Sequence, residues 1–306
     1  MILVQNLVRR YGSVTAVDDV SFNIGASQVV GLLGHNGSGK TTIMKMLAGF
    51  LEPTDGWIEI DGLKIADHPR AVQSRIGYLP ENCPLWPDMS VMDYLDYQSC
   101  LHGVGVSDRD AAITRALERT GLEDRATQPI RALSRGYRQR VGVAQAILHQ
   151  PKIVILDEPT NGLDPTQILQ MRALIRDLAS QATILISTHI LQEVQAVCER
   201  VLILRNGELV MDALIGDLDD TRQLQLTVNE DATSVLQSVE GVASIEQQST
   251  DDGYFHYLLE VSVDAAPEVA QAIHVAGLRL YRLQPATRNL ETVFADVNEG
   301  RISVEH

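Results

Sequence analysis

The chain has 306 residues, 45% of them hydrophobic, which is ample for a packed core and points to two domains rather than one. Its formal net charge is −15, and residues 211–306 carry 5 basic and 17 acidic side chains, or −12 of that total, so this tail is a poor docking surface for phosphate backbones or anionic lipid. The scattered cysteines Cys83, Cys100 and Cys198 argue against a disulfide framework or a zinc site and fit a reducing compartment. No run approaches the ~20 apolar residues of a membrane-spanning helix, and the N-terminal stretch, broken by Gln5 and Asn6, lacks a signal-peptide pattern.

In chain order, Ile2–Val4 and Val17–Ile24 read as short strands and Gln28–Leu33 as a buried one. Lys40–Leu47 has helical spacing. Trp57–Ile60 alternates and meets the hairpin signal Asp61-Gly62, and Ile76–Leu79 is another strand. From about Ser90 to Gln150 the pattern is helical, with Ser90, Asp108 and Ser134 as expected caps. Strands return at Ile153–Leu156, Thr183–Ser187 and Val201–Leu204, separated by helical stretches at 166–179 and 190–198. Alternating strands and helices imply a mostly parallel sheet, with the block at 90–150 as an insertion. A boundary is expected near 216–221. Beyond it, strand patterns at 223–228, 242–246, 254–263 and 278–283 enclose helical patterns at 232–239 and 267–276, with a last helix at 289–297. This β-α-β-β-α-β order predicts a small ferredoxin-like unit.

Residues Gly34, His35, Asn36, Gly37, Ser38, Gly39, Lys40 and Thr41 match G-x-x-x-x-G-K-[ST], followed by Thr42, with a strand before and a helix after. Glycines let backbone N–H groups turn around phosphates, and the helix start adds partial positive charge. Lys40 is the group expected to reach the β- and γ-phosphates, and the Thr41 hydroxyl to bind Mg²⁺. The apolar strand at 153–156 ends in Asp157 and Glu158. Asp157 is placed to hold Mg²⁺, and Glu158 to polarise the water attacking the γ-phosphate. Together the motifs predict ATP hydrolysis rather than binding alone.

The run Leu133-Ser134-Arg135-Gly136-Tyr137-Arg138-Gln139-Arg140 resembles the LSGGQ signature of ABC ATPases, in the form common among gliding-motility and drug-export cassettes. The resemblance implies that the start of a helix capped by Ser134, with the Gly136 amide, serves the ATP of a facing cassette. Asn161-Gly162-Leu163-Asp164 resembles the D-loop, with Asp164 at the facing cassette. His189 resembles the switch histidine, and Tyr11 the aromatic that stacks on adenine. Glu81 stands where most members carry the Q-loop glutamine, beside Mg²⁺, and Arg135 replaces the first signature glycine. The ending Asn289-Leu290-Glu291-Thr292-Val293-Phe294 resembles the close of exporter cassettes that carry an accessory domain, and its apolar residues read as packing on the small unit.

The implied fold is an α/β P-loop NTPase: a RecA-like core with a helical subdomain at about 90–150 inside a cassette of residues 1–215, then a ferredoxin-like unit at 216–306. The implied activity is that of an ATP-hydrolysing subunit using ATP and Mg²⁺. It would pair with itself or a paralogous cassette, bind no nucleic acid, and drive a separate multi-span permease at the cytoplasmic face of the membrane, as an exporter. The alternative is a soluble ABC ATPase acting on ribosomes or DNA. Against it, the chain holds one cassette, no long coiled coil and an acidic tail.

Overall fold

A computed structural model describes residues 1–218, 223–248, 253–262, 265–285, 290 and 294. Met1–Ile215 pack as one compact unit and Gly216–Asp296 as another. The first unit opens with β1 (Ile2–Tyr11), β2 (Val14–Ile24) and β3 (Val29–Leu33), followed by α1 (Lys40–Leu47). Next come β4 (Asp55–Ile60), β5 (Leu63–Lys64), α2 (Pro69–Gln73) and β6 (Ile76–Leu79). The helical block holds α3 (Val91–Leu101), α4 (Arg109–Thr120) and α5 (Arg135–Ile147). The chain then alternates through β7 (Ile153–Asp157), α6 (Pro165–Ala179), β8 (Thr183–Thr188), α7 (Leu191–Val197), β9 (Arg200–Arg205) and β10 (Glu208–Leu214).

The sheet that carries the site has the order β10-β9-β3-β8-β7-β6. All neighbours pair in parallel except the edge strand β10, which folds back on β9 after Asn206-Gly207. β3 and β7 are buried at every residue, which explains why their sequences are unbroken apolar runs rather than alternations. A second, antiparallel sheet, β2-β1-β4-β5, encloses α1 against one face of the first, burying Ile43, Met44, Met46 and Leu47 among Ile2, Val4, Ile58, Val30 and Leu202. The helices α3–α6 cover the other face, with Leu95, Leu117, Val141 and Leu174 in a common core with Val154 and Ile186.

Some boundaries differ from expectation. β1 runs to Tyr11 rather than stopping at Val4, because Asn6 takes φ 47° and the register with β2 shifts beyond Val4, so the polar break is a bulge inside one long strand. Ser90 caps α3 by accepting from the Asp93 amide at 3.1 Å. Asp108 stands at the cap position of α4, but its side chain makes no capping bond, since it sits in a short 3₁₀ turn with helical φ and ψ.

The helical block closes on β6 through a stacked pair of imidazoles. His102 and His149 lie 4.2 Å apart with planes 6° off parallel, and His149 Nε2 bonds the Ile76 carbonyl at 3.1 Å. Burial, and secondarily the neighbouring His102, pushes His149 down to about 4. His149 is therefore neutral in the fold, while in the unfolded chain it takes a proton near ~6.5. Between those values the unfolded state binds more protons, so the contribution is intact above the higher one and is lost as pH falls towards the lower. The expected loss is ~2 kcal/mol between about pH 7 and pH 5, read as a drop in the urea midpoint. His149→Phe keeps a ring in the stack and should remove that part of the pH slope; equal slopes in the two proteins would sink the assignment.

In the second unit, after a short helix α8 (Ile215–Leu218), lie β11 (Gln223–Val228), α9 (Thr233–Leu236), β12 (Val242–Gln248), β13 (Phe255–Val261), α10 (Ala266–Val275) and β14 (Leu280–Pro285). The strands form an antiparallel sheet of order β12-β13-β11-β14. That element order and strand order are those of a ferredoxin-like split βαβ unit. Leu224, Leu226, Leu259, Val269 and Ile273 form its core. Of the 289–297 stretch only Leu290 and Phe294 are described, and both are buried; the expected last helix otherwise lies outside the described residues.

Candidate functional site

Neighbouring strand ends build the site. In the parallel sheet Leu33 of β3 lies beside Thr188 of β8, and Asp157 of β7 beside Ser187. The segments that follow therefore leave one edge together: the phosphate loop after β3, His189 after β8 and Glu158 after β7. β8 stands between β7 and β3, so Asp157 meets the loop through α1, whose Thr41 hydroxyl donates to Asp157 Oδ1 at 3.3 Å.

The loop wraps its own lysine. Lys40 is 5% exposed, and its ammonium donates to the carbonyls of Gly34 at 2.7 Å and His35 at 3.0 Å. Gly39 takes φ 104°, and a Cβ there would stand 2.6 Å from the Ala16 carbonyl of β2, so both backbone geometry and space demand glycine. The buried Ser38 hydroxyl has no hydrogen-bond partner among the described residues. Asn36, Gly37, Gly39, Lys40, Thr41 and Thr42 line one open cleft with Ala16, Glu81 and Glu158. Burial holds Lys40 below the usual lysine value, opposed by the carboxylates of Glu158, Asp157 and Glu81.

Both acids after the apolar strand are buried. Asp157 accepts from the Ser187 and Thr41 hydroxyls, and burial still lifts its carboxyl above the ordinary range. Glu158 takes φ 50°, a left-handed conformation costly for a residue with a Cβ. Its amide donates to the Ser187 hydroxyl at 3.0 Å, which fixes that turn. The Glu158 carboxylate bonds His189 Nδ1 at 2.9 Å and lies 3.8 Å from the Lys40 ammonium. Burial raises it too, with the His189 bond as the chief opposing influence.

The residues present fit a hard divalent cation. Asp157 Oδ2 is buried without a hydrogen-bond partner among the described residues, the Thr41 hydroxyl lies beside the same carboxylate, and Glu81 lines the same cleft, so the donors are all oxygen. No group of three or more His, Cys, Asp or Glu among the described residues could hold a metal alone. Such an ion would be completed by phosphate oxygens, as Mg²⁺ with few protein ligands is.

The signature residues stand elsewhere. Ser134 caps α5, its hydroxyl accepting from the Tyr137 amide at 3.4 Å. Gly136 is buried and Ser134 and Arg135 are exposed, but none of Ser134, Arg135, Gly136, Tyr137 or Gln139 lines the cleft around Lys40. Tyr137 is held between Arg125 and Arg140, 5.3 and 5.7 Å from its ring centroid. Asp164 caps α6 by accepting from the Gln167 amide at 2.9 Å. Tyr11 ends β1, 48% exposed as a residue, with the Arg9 guanidinium 4.7 Å from its ring centroid, and it too is outside the cleft walls.

The chain is 34% identical to YxlF, an uncharacterised ABC transporter ATP-binding protein of Bacillus subtilis, over 97% of this chain and 99% of that protein. The chain belongs to the ABC transporter family. The family model for ABC transporters matches residues 17–161. The bacitracin transport ATP-binding protein BcrA of Bacillus licheniformis is 38% identical, covering 67% of this chain and 67% of that protein. The dimeric structure of MJ0796, a bacterial ABC transporter cassette, matches with a TM-score of 0.64 at 25% identity, covering 70% of this chain and 98% of that one.

The chain is thus the ATP-binding subunit of an ABC transporter, an ATPase with the P-loop cassette fold. Sequence reading missed several residues of the cassette site. Ser187 holds both Asp157 and the Glu158 amide, and the buried Thr188 hydroxyl donates to Glu193 Oε2 at 2.8 Å while receiving the Ile190 amide at 3.1 Å. The signal was the Ser-Thr pair at the end of an otherwise apolar strand, where only bonded hydroxyls are tolerated. Ala16 left no signal, since its part is a backbone carbonyl.

Proposed function

We infer that two copies of this cassette close on each other with ATP between them and drive a separate membrane permease as an exporter. The observation that carries the reading is the separation of the two anion-binding helix starts. α1, with Lys40, faces the cassette's own cleft, whereas the start of α5, with Ser134 and Gly136, lies outside it. A signature turn that lies outside its own cleft is free to serve a neighbour's nucleotide, which supports the pairing. The MJ0796 cassette was solved as a dimer, which supports this reading.

Within the closed pair Lys40 binds the β- and γ-phosphates, the backbone of residues 34–39 and the partly buried Thr42 surround them, and Tyr11 offers its exposed ring to adenine. Glu158 accepts a proton from the attacking water, with His189 Nδ1 orienting its carboxylate. Asp157, Thr41 and Glu81 are the residues that would hold Mg²⁺, which neutralises phosphate charge when bound. Asp164 and the D-loop border the facing copy.

Export is favoured by likeness to BcrA, a bacitracin transport protein. On this reading the permease is a second protein and the cassette sits at the cytoplasmic face of the membrane; no helix among the described residues is long and apolar enough to cross a membrane. The unit from Gly216 is an accessory domain of the exporter type. Light scattering tests the pairing: with ATP and Mg²⁺ the mass should double, and Ser134→Arg should hold the chain as a monomer. A wild-type chain that stays monomeric at saturating ATP would refute the reading.

A further inference from the structure

The signature turn touches the D-loop and the first turn of α6 by reciprocal contacts. A Cβ placed on Gly162 would stand 2.4 Å from the guanidinium carbon of Arg135 and 2.5 Å from its Nη1. A Cβ placed on Gly136 would stand 2.6 Å from Cδ and Oε1 of Gln167. Each segment thus seats its partner's side chain on a bare α-carbon. Gly162 takes φ 71°, which glycine alone adopts freely. Gln167 is anchored in turn by the Asp164 cap.

The charge of Arg135 points the same way. It begins α5, where the helix dipole disfavours a cation, and the first turn holds no acid. Its guanidinium has no ion-pair partner among the described residues. Electrostatics within the helix therefore gives no reason for arginine here, whereas packing on Gly162 does. From Gly162 the path to the carboxylate is short: the Asn161 amide donates to the Glu158 carbonyl at 3.2 Å, and the Leu163 amide to the Thr160 carbonyl at 3.1 Å.

We propose that Arg135 and Gln167 interlock the signature turn with the D-loop as one moving piece, so that phosphate held at Ser134 sets the placement of the same chain's Glu158. Arg135 is then a positioning residue. The proposal rests on the reading that the signature serves the facing copy's ATP, and it goes further by assigning the connection between the two sites to named side chains. Arg135 and Gly162 meet at the surface, whereas Gly136 is buried and Gln167 half-buried, so displacement of one segment is passed to the other chiefly through the Gly136–Gln167 contact. Each chain would couple the nucleotide it touches across the interface to the nucleotide it hydrolyses.

The test uses Arg135→Ala and Gln167→Ala in the full chain. In nucleotide-free protein, amide exchange across 161–163 should rise about tenfold in either variant. Turnover against ATP concentration should be sigmoidal in the wild type, and the Hill coefficient should fall to about 1 in both variants, with a loss of about tenfold in rate. Unchanged exchange and an unchanged Hill coefficient in both variants overturn the interlock, as does wild-type turnover that is hyperbolic in ATP. The Glu158→Gln background separates the two ideas. A chain that stays monomeric there in ATP overturns the pairing and the coupling with it, whereas a normal dimer beside unaltered variant kinetics overturns the interlock alone.

Discussion

Glu158→Gln should leave ATP bound and turnover lost. The amide keeps the volume of the side chain and can still accept the His189 Nδ1 bond that the carboxylate receives at 2.9 Å. What it cannot do is take a proton from water. Loss of a general base costs about 10²–10⁴ in rate, and phosphate release should fall by that factor. Binding should hold or tighten, because a carboxylate buried to 5% exposure beside the phosphates is replaced by a neutral group. The fold should not suffer: burial penalises the charged form at this position, and the variant relieves that penalty. Equilibrium binding and single-turnover phosphate release separate the two effects. A variant hydrolysing within tenfold of wild type would move the role of base to another group.

Lys40→Met should remove most of the nucleotide response. The ammonium is the only cationic group on the walls of the cleft, among the described residues, and it is already held by the Gly34 and His35 carbonyls at 2.7 and 3.0 Å. It is thus organised before any phosphate arrives. Charge-assisted hydrogen bonds contribute about 1.5–3 kcal/mol each, so losing those to the phosphates should weaken ATP by about 100-fold or more. Methionine fills the same space without the charge, but it leaves two carbonyls without their donor and Glu158 without the cation 3.8 Å away. Stability without nucleotide should therefore fall by about 1–3 kcal/mol, offset in part because the buried ammonium carries its own desolvation cost. The clearest readout is the shift in melting temperature with ATP. Wild type should gain about 2.7 kcal/mol at ~100 times its dissociation constant, and the variant about 0.4 kcal/mol or less at the same concentration. A preserved shift in Lys40→Met would mean that phosphate is held by the loop amides alone.

By itself the sequence singled out the segments proposed to carry chemistry. Residues 34–41 could be read because a phosphate loop is contiguous: its glycines, its lysine and the helix behind it are set by local backbone geometry. The same holds for Asp157 and Glu158 at the end of an apolar strand, for the Ser90 and Ser134 caps, and for the β-α-β-β-α-β order of the second unit, which the strand order β12-β13-β11-β14 completes. The likeness to ABC cassettes rested on such short runs.

Tertiary structure decided what no run contains. The sheet order put β8 between the phosphate-loop strand and the carboxylate strand, so that Ser187 holds Asp157 while His189 meets Glu158. The left-handed turn at Glu158 and the missing cap bond of Asp108 depend on neighbours that local propensity does not specify. The same is true of Arg135 resting on Gly162, two residues 27 positions apart whose meeting depends on how α5 packs beside α6. The physical reason is that backbone preference acts over a few residues, whereas burial and close packing act between segments that the chain brings together only once it is folded.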